Sequence, residues 1–453
     1  MKIRNNDLLR GPLFSGVISY TVPIILTSVL QLLFNAADLV VVGRFCGSLS
    51  VAAVGATGAL TNLIINLFIG LSVGVGVTVA HGLGSGDQED VHRTIHTALP
   101  AALVCGLVLT VVGVAFAGSF LEMMDTPENV LPLSTVYMQI YFAGMTFTMV
   151  YNFCTSILRA AGDVTGPFVY LTIAGVINVA LNVLFVTQFR MNVAGVALAT
   201  TLSQGVSAVL VVLALMRRSD VCRLEWKKMR FYGRQLSKIL RIGLPAGMQS
   251  SMFAISNVVI QSTINSFGDT FVSGNSAATN IEGFVYVIMN SFSQTTVNYV
   301  GQNSGARQYR RVRQVFWLCM ACVCVVGIVC GGAAYLAGEA LLSVYITDSQ
   351  EAIACGMIRM AFVCLPYFLC GIMEIPTAAL RGLGYSIQPM LISVLGACVF
   401  RIVWIYAVFP LQPTPQCLLF SYPVSWILTF VAQLIVFVFV YRRVVGGTPE
   451  GKR

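Results

Sequence analysis

The chain has 453 residues, of which 57% are hydrophobic and only 10% charged, and its mean hydropathy is +0.82. Soluble domains carry roughly 25% charged residues, so this composition excludes a soluble globular protein of such size, and it excludes disordered and collagen-like chains as well. The net charge of +9 would suggest nucleic acid in a soluble protein, but in a membrane chain its distribution is first a topology signal.

Long apolar stretches predict an all-α polytopic membrane protein, with six spans at about 13–41, 50–80, 94–117, 132–157, 167–188 and 193–216. A polar connector follows, and six more spans are predicted at about 240–266, 272–300, 314–337, 353–379, 389–409 and 417–441. This gives 12 transmembrane helices in two six-helix bundles, with residues 1–216 as the N-terminal bundle, 217–238 as a cytoplasmic connector and 239–453 as the C-terminal bundle with a short tail. The basic N-terminus resembles the start of a signal peptide, yet the apolar run continues past Leu33 without a small-residue cleavage site, so it reads as a retained span. The first, second and eighth stretches are long enough to tilt or kink, with Pro23 the obvious kink in the first. The 13 cysteines stand singly in apolar stretches and read as small hydrophobes rather than a disulfide framework.

Alternate loops separate the basic residues: 23 of the 27 Lys and Arg fall on one side, including Lys2, Arg4, Arg10, Arg93, Arg159, nine between Arg217 and Arg241, and Lys452 and Arg453. The opposite loops hold only Arg44 and Arg190, while acidic residues cluster at Glu122–Glu128 and Asp348–Glu351. By the positive-inside rule both termini and the connector are expected in the cytoplasm of a multi-pass cell-membrane protein.

Self-comparison reveals a recurring shift of 222 residues. It places Pro23 on Pro245, Ala56 and Thr57 on Ala278 and Thr279, and LRAAGDVTGP from Leu158 on LRGLGYSIQP from Leu380. Six spans per half make this a parallel repeat, the architecture of two bundles rocking about a site between them. A secondary transporter is thus expected, and no GxxxxGK[ST] signature points to ATP as the energy source.

Ionisable residues inside spans are expensive and are candidate functional sites by default; here they are Asp38, Glu282, Glu374, Arg359 and Arg401. Gln31, Asn35 and Asp38 fall on one face of the first span, and Asn178 and Asn182 lie one turn apart on the fifth, with Thr200 on the sixth. A carboxylate desolvated among neutral amides and hydroxyls could take and release a proton near physiological pH, or bind a monovalent cation. The bland alternative is that Asp38 caps a helix end. Shifted by 222, Asp38, Asn178 and Asn182 become Ile260, Phe400 and Trp404, so the polar set belongs to the first half alone. In the second half a stripe of Asn275, Thr279, Glu282, Tyr286, Asn290 and Gln294 runs along the eighth span. It suits a hydrated cavity wall attracting cationic cargo or, equally, a satisfied inter-helix hydrogen-bond ladder. Glu374 could be a second coupling acid, but an ion pair with Arg401 or Arg359 is favoured because unpaired buried charge is costly.

Other signals are weaker. His92 and His96 have one-turn spacing but no HExxH, and read as surface residues at a helix start, not a zinc site. Cys319, Cys322 and Cys324 read as packing. Gly70, Gly74 and Gly76 permit close helix approach.

Taken together, VPIILTSVLQLLFNAADLVVVGR in the first span, LRAAGDVTGP, LRGLGYSIQP and the 6+6 repeat resemble the multidrug and toxic compound extrusion (MATE) transporters from about Gly11 to Arg443. That resemblance implies an antiporter, not an enzyme, which expels amphipathic, cationic drugs and dyes in exchange for H⁺ or Na⁺, without a cofactor or nucleic acid, in a lipid bilayer and as a monomer. It is closer to the DinF-like than to the NorM-like branch. Asp38, Asn178, Asn182 and Thr200 match the proposed DinF-like proton site, although Asn182 stands where some members carry a second aspartate. GMQSSMFAISN offers no acid where the NorM-like branch has a seventh-helix glutamate. The alternative is a lipid or lipid-linked oligosaccharide flippase of the same superfamily, for which only Arg359 and Arg401 could serve a headgroup. No catalytic motif sits at a plausible depth for an intramembrane enzyme.

Overall fold

The computed structural model describes residues 7–124, 126–347 and 349–446; sequence readings that involve Lys2, Arg4, Asp348, Lys452 and Arg453 lie outside them. Among the described residues there is no strand. Hydrocarbon offers backbone N–H and C=O groups no partner, so the apolar stretches satisfy themselves as helices. Apolar stripes such as Val104, Leu107 and Val111, each more than half exposed, are lipid-facing surface rather than a fault of packing.

Helices α1 (Leu13–Phe45), α2 (Ser48–Ser85) and α3 (Gln88–Glu122) are each continuous, with Pro23 inside α1 and Pro100 inside α3. Asp87 caps α3 by accepting from the Asp90 amide at 2.9 Å. The fourth predicted span is two helices, α4 (Leu131–Ala143) and α5 (Met145–Ala160), parted at Gly144. Helix α6 (Thr165–Val183) continues into a π turn over Leu184–Gln188, and α7 (Asn192–Met216) completes the first half. The second half runs α8 (Gly233–Asn265), α9 (Asp269–Gly305), α10 (Tyr309–Leu336) and a short α11 (Gly338–Tyr345). Then come α12 (Gln350–Arg359) and α13 (Phe368–Gly382), interrupted at 360–367 where Pro366 leaves helical geometry. Helices α14 (Ile387–Ser393) and α15 (Phe400–Ala407) flank a π turn at Val394–Val399, and α16 (Pro415–Gly446) is last.

Among the described residues nine helical stretches are long and apolar enough to cross a membrane. The expected spans over α4–α5, α8 and α9 do not qualify by that measure. The break at Gly144 leaves two short pieces, and α8 and α9 carry many amide and hydroxyl side chains. One turn recurs at the 222-residue shift. Gly162 and Gly384 both have positive φ, 86° and 89°, which only glycine adopts freely. In each, the following amide closes onto the leucine five residues back, Asp163 onto Leu158 and Tyr385 onto Leu380, at 2.9 Å.

The chain divides into two compact units, one holding Val22–Gly247 and the other Leu9–Thr21 with the chain from Met248 onward. The division falls inside α8, not in the polar connector. The reason lies in two glycines of α2: a Cβ at Gly70 would lie 2.1 Å from the Gly247 nitrogen, and one at Gly74 2.3 Å from the Ile239 oxygen. Backbone packs on backbone there, as small residues allow in membranes, so the first turns of α8 belong with α2. The start of α1 instead meets α9, where the Thr21 and Thr295 hydroxyls lie 2.8 Å apart and Tyr20 stands edge-on to Tyr299. In the first unit α3 packs on α4 and α5 around Leu109, Met138, Phe142 and Phe153. In the second, Phe316 of α10 stacks on Phe437 of α16 at 4.1 Å.

Candidate functional site

In the first unit, α1, α6 and α7 bring together four of the side chains singled out from sequence. The approach is set by Gly175 of α6, where a Cβ would fall 1.7 Å from the Phe34 ring of α1, so glycine alone admits that ring. Asp38 lies one turn beyond Phe34, and Asn178 and Asn182 lie one and two turns beyond Gly175, so the ring contact aligns them. The Asn182 amide donates to Asp38 Oδ1 at 2.5 Å and to Asn178 Oδ1 at 3.1 Å. The Thr200 hydroxyl donates to Asp38 Oδ2 at 3.2 Å and accepts from the Asn178 amide at 3.3 Å. Asn182 is fully buried, and its own Oδ1 has no hydrogen-bond partner among the described residues. Asp38 makes no ion pair among the described residues: every group facing it is neutral. Asn35 and Gln31 are exposed and make no hydrogen bond into this cluster. Tyr137 and Tyr141 of α4, stacked one turn apart, lie within electrostatic reach of Asp38. Sequence reasoning passed over them, although two tyrosines at helical spacing in an apolar stretch were a readable signal.

In the second unit the two readings of the Glu282 stripe separate, and the pairing of Glu374 differs from expectation. Glu282 is not an open carboxylate on a cavity wall: Nε and Nη2 of Arg359 both lie 2.9 Å from its Oε2, and Nη1 of Arg359 donates to Asn275 Oδ1 at 3.0 Å. The expected pairing of Glu374 with Arg359 or Arg401 is therefore corrected, because α12 packs on α9 and presents Arg359 to Glu282 first. The charge that Glu374 feels is Arg381, whose Nη2 donates to Gln249 Oε1 at 2.8 Å. Asn290 donates to the Tyr286 hydroxyl at 3.2 Å and accepts from Gln294 at 2.9 Å, so this end of the stripe is an intrahelical ladder. Arg401 has 3% exposure and stands over the Tyr422 ring at 4.1 Å, with Trp426 at 5.8 Å and Nε donating to Ser425 Oγ at 2.9 Å.

A family model described as MatE matches the chain twice, at residues 23–184 and 245–407. The chain belongs to the MatE family of membrane transporters. This MATE chain is 26% identical over 409 residues to the probable multidrug resistance protein YpnP of Bacillus subtilis, covering 87% of this chain and 88% of that one. It is 20% identical over 299 residues to the multidrug export protein MepA of Staphylococcus aureus, covering 66% of each. Its fold is that of a multidrug resistance MATE transporter of the MOP superfamily solved in an outward-facing conformation, with TM-score 0.88, 20% identity and 98% of each chain covered.

One further reading of this transporter is corrected. His96 is not a surface residue but fully buried, because the connector folds back over the first turns of α3. Its Nδ1 lies 2.7 Å from the His92 carbonyl and its Nε2 accepts the Glu225 amide at 3.0 Å, which fixes a neutral ring with the proton on Nδ1. The Arg230 amide bonds the His96 carbonyl, the Tyr232 amide bonds Thr97 Oγ1, and Lys238 meets both oxygens of Asp90 at 2.8 and 3.0 Å. Arg218 faces Asp220 in the same connector. Burial works against the Asp220 charge, but the Arg218 hydrogen bonds and positive charge outweigh it and hold that carboxyl below its ordinary range.

Proposed function

We propose that this chain is a secondary active multidrug efflux antiporter of two six-helix bundles related by a parallel internal repeat, exchanging amphipathic organic compounds for H⁺ or Na⁺ by alternating access. The carrying observation is Asp38, an acid within the spanning part of α1 whose partners are amides and a hydroxyl, with no cation among the described residues. A lone carboxylate in that setting is destabilised until it takes up a proton or a cation. The unpartnered Asn182 Oδ1 supplies a further acceptor beside it, and the Asp38, Asn178, Asn182 and Thr200 oxygens suit a proton or a sodium ion alike. One charge moving through 100 mV provides about 2.3 kcal/mol for cargo export.

Organic cargo is supported by the names of the relatives, one a probable multidrug resistance protein and one a multidrug export protein. Support for the repeat comes from the two family-model matches, which start at 23 and 245, and from the shared turn at Gly162 and Gly384. The Lys and Arg count supports cytoplasmic termini, and the coupling set within one unit supports action as a monomer. Cationic cargo is what the family resemblance implies; Glu282, the acid of the second unit that could have attracted it, is held by Arg359.

The test is dye efflux from proteoliposomes, with ethidium and carboxyfluorescein, under pH and sodium gradients imposed separately. Wild type should extrude at least one dye under one gradient, and Asp38→Asn, which keeps shape and removes the charge, should lose that dependence. Gradient-driven efflux by Asp38→Asn at the wild-type rate would overturn the reading.

A further inference from the structure

In the helices of the second unit three arginines, Arg359 and Arg401 of the predicted spans and Arg381 in the last turn of α13, face two glutamates, Glu282 and Glu374. Glu282 is bonded to Arg359 and Glu374 feels Arg381, which leaves Arg401 without an acid among the described residues. Arginine does not shed its proton in a protein, so Arg401 cannot escape burial by neutralising. Its contacts are one hydroxyl and the faces of two aromatic rings, while Nη1 and Nη2 make no hydrogen bond among the described residues. Stacking leaves the edge of a guanidinium open, and that edge matches a carboxylate or phosphate in geometry. Around it stand Tyr367, Tyr422 and Trp426, each less than a tenth exposed and stacked edge to face in a chain from Tyr286.

We propose that Arg401 and the Tyr422–Trp426 pair form a binding site for an organic oxyanion, the carboxylate or phosphate of an aromatic amphipathic compound. The oxyanion offsets the Arg401 charge, and the open edges of the Tyr422 and Trp426 rings meet the apolar body of the same molecule. This deepens the transport reading by giving the cargo class, and rests on it only for the direction of movement.

The experiment is equilibrium binding of 1-naphthoate to the purified full-length protein, read by tryptophan fluorescence without any gradient, so a failure here leaves the antiport reading standing. The neutral, equally shaped 1-naphthamide is the control. Wild type should prefer naphthoate by about tenfold or more, Arg401→Met should lose the preference, and Arg401→Lys should keep part of it. Melting guards against a variant that merely misfolds: Arg401→Met should melt at or above the wild-type temperature without ligand, and naphthoate should raise the melting point of wild type only. Detergent-solubilised protein separates the sources of the oxyanion: displacement of naphthoate by a short-chain phosphatidic acid at matched ionic strength would assign the site to a lipid phosphate, and no displacement to a soluble compound. Equal binding of naphthoate and naphthamide by wild type, or an unchanged preference in Arg401→Met, would overturn the proposal.

Discussion

Replacing Glu282 by Gln distinguishes a buried ion pair from an open acid. Glu282 and Arg359 are 8% and 5% exposed, and two nitrogens of the guanidinium lie 2.9 Å from one carboxylate oxygen. Removing one partner of a buried pair costs about 3–5 kcal/mol, because the remaining charge is left uncompensated. The carboxamide oxygen of Gln still accepts one hydrogen bond from the guanidinium, which returns about 1.5–2 kcal/mol. The net loss expected is therefore about 2–3 kcal/mol, or about 5–10 °C in melting temperature for a unit of this size. The double variant Glu282→Leu/Arg359→Met removes both charges at once and should fall within about 1–2 kcal/mol of wild type, with the bare Asn275 as its main cost. A thiol-reactive dye reads the transition directly, since Cys319, Cys364, Cys370 and Cys398 are buried in the second unit and react on unfolding. If Glu282→Gln melts with wild type while efflux is lost, Glu282 is working as an open acid and the ion-pair reasoning fails.

Two further variants probe the first unit. Gly175→Ala should push the Phe34 ring off α6, lowering stability by about 1–3 kcal/mol and impairing gradient-driven efflux, and Phe34→Ala in the same chain should restore part of both. An unchanged melting point and efflux in Gly175→Ala alone would show that this contact does not position Asp38. His96→Ala should release the Glu225 amide, speeding its hydrogen exchange about tenfold while the Tyr232 amide, held by Thr97, changes less. Unchanged exchange at Glu225 would refute the clamp.

The first-unit cluster was legible because its parts announce themselves along one dimension. An acid in an apolar helix is rare, and two asparagines four apart must share a face. Which arginine meets which acid was not legible, because Glu282 and Arg359 lie 77 residues apart and the lateral packing of α9 and α12 leaves no trace in hydropathy. His96 misled for a related reason: a residue at the start of an apolar run looks wet until the connector that covers it is seen. Helical periodicity also runs through Gly144 and Met360–Cys364 without registering the breaks there. Of the expected spans, α8 and α9 stand apart because the amides and hydroxyls that make them chemically interesting are what dilute their apolar signal.

The clamped connector bears on how this polypeptide could be divided. A hydropathy plot invites a cut somewhere in the basic stretch between α7 and α8, as though it were slack rope between two bodies. Such a cut would sever strapping that is sewn to α3 by backbone amides, and would leave α8 rooted against Gly70 and Gly74 of the other fragment. Two separately expressed pieces would then each carry a raw seam. For a split reporter or a circularly permuted chain, the turn after α10 or the loop before α4 is the gentler place to open the thread.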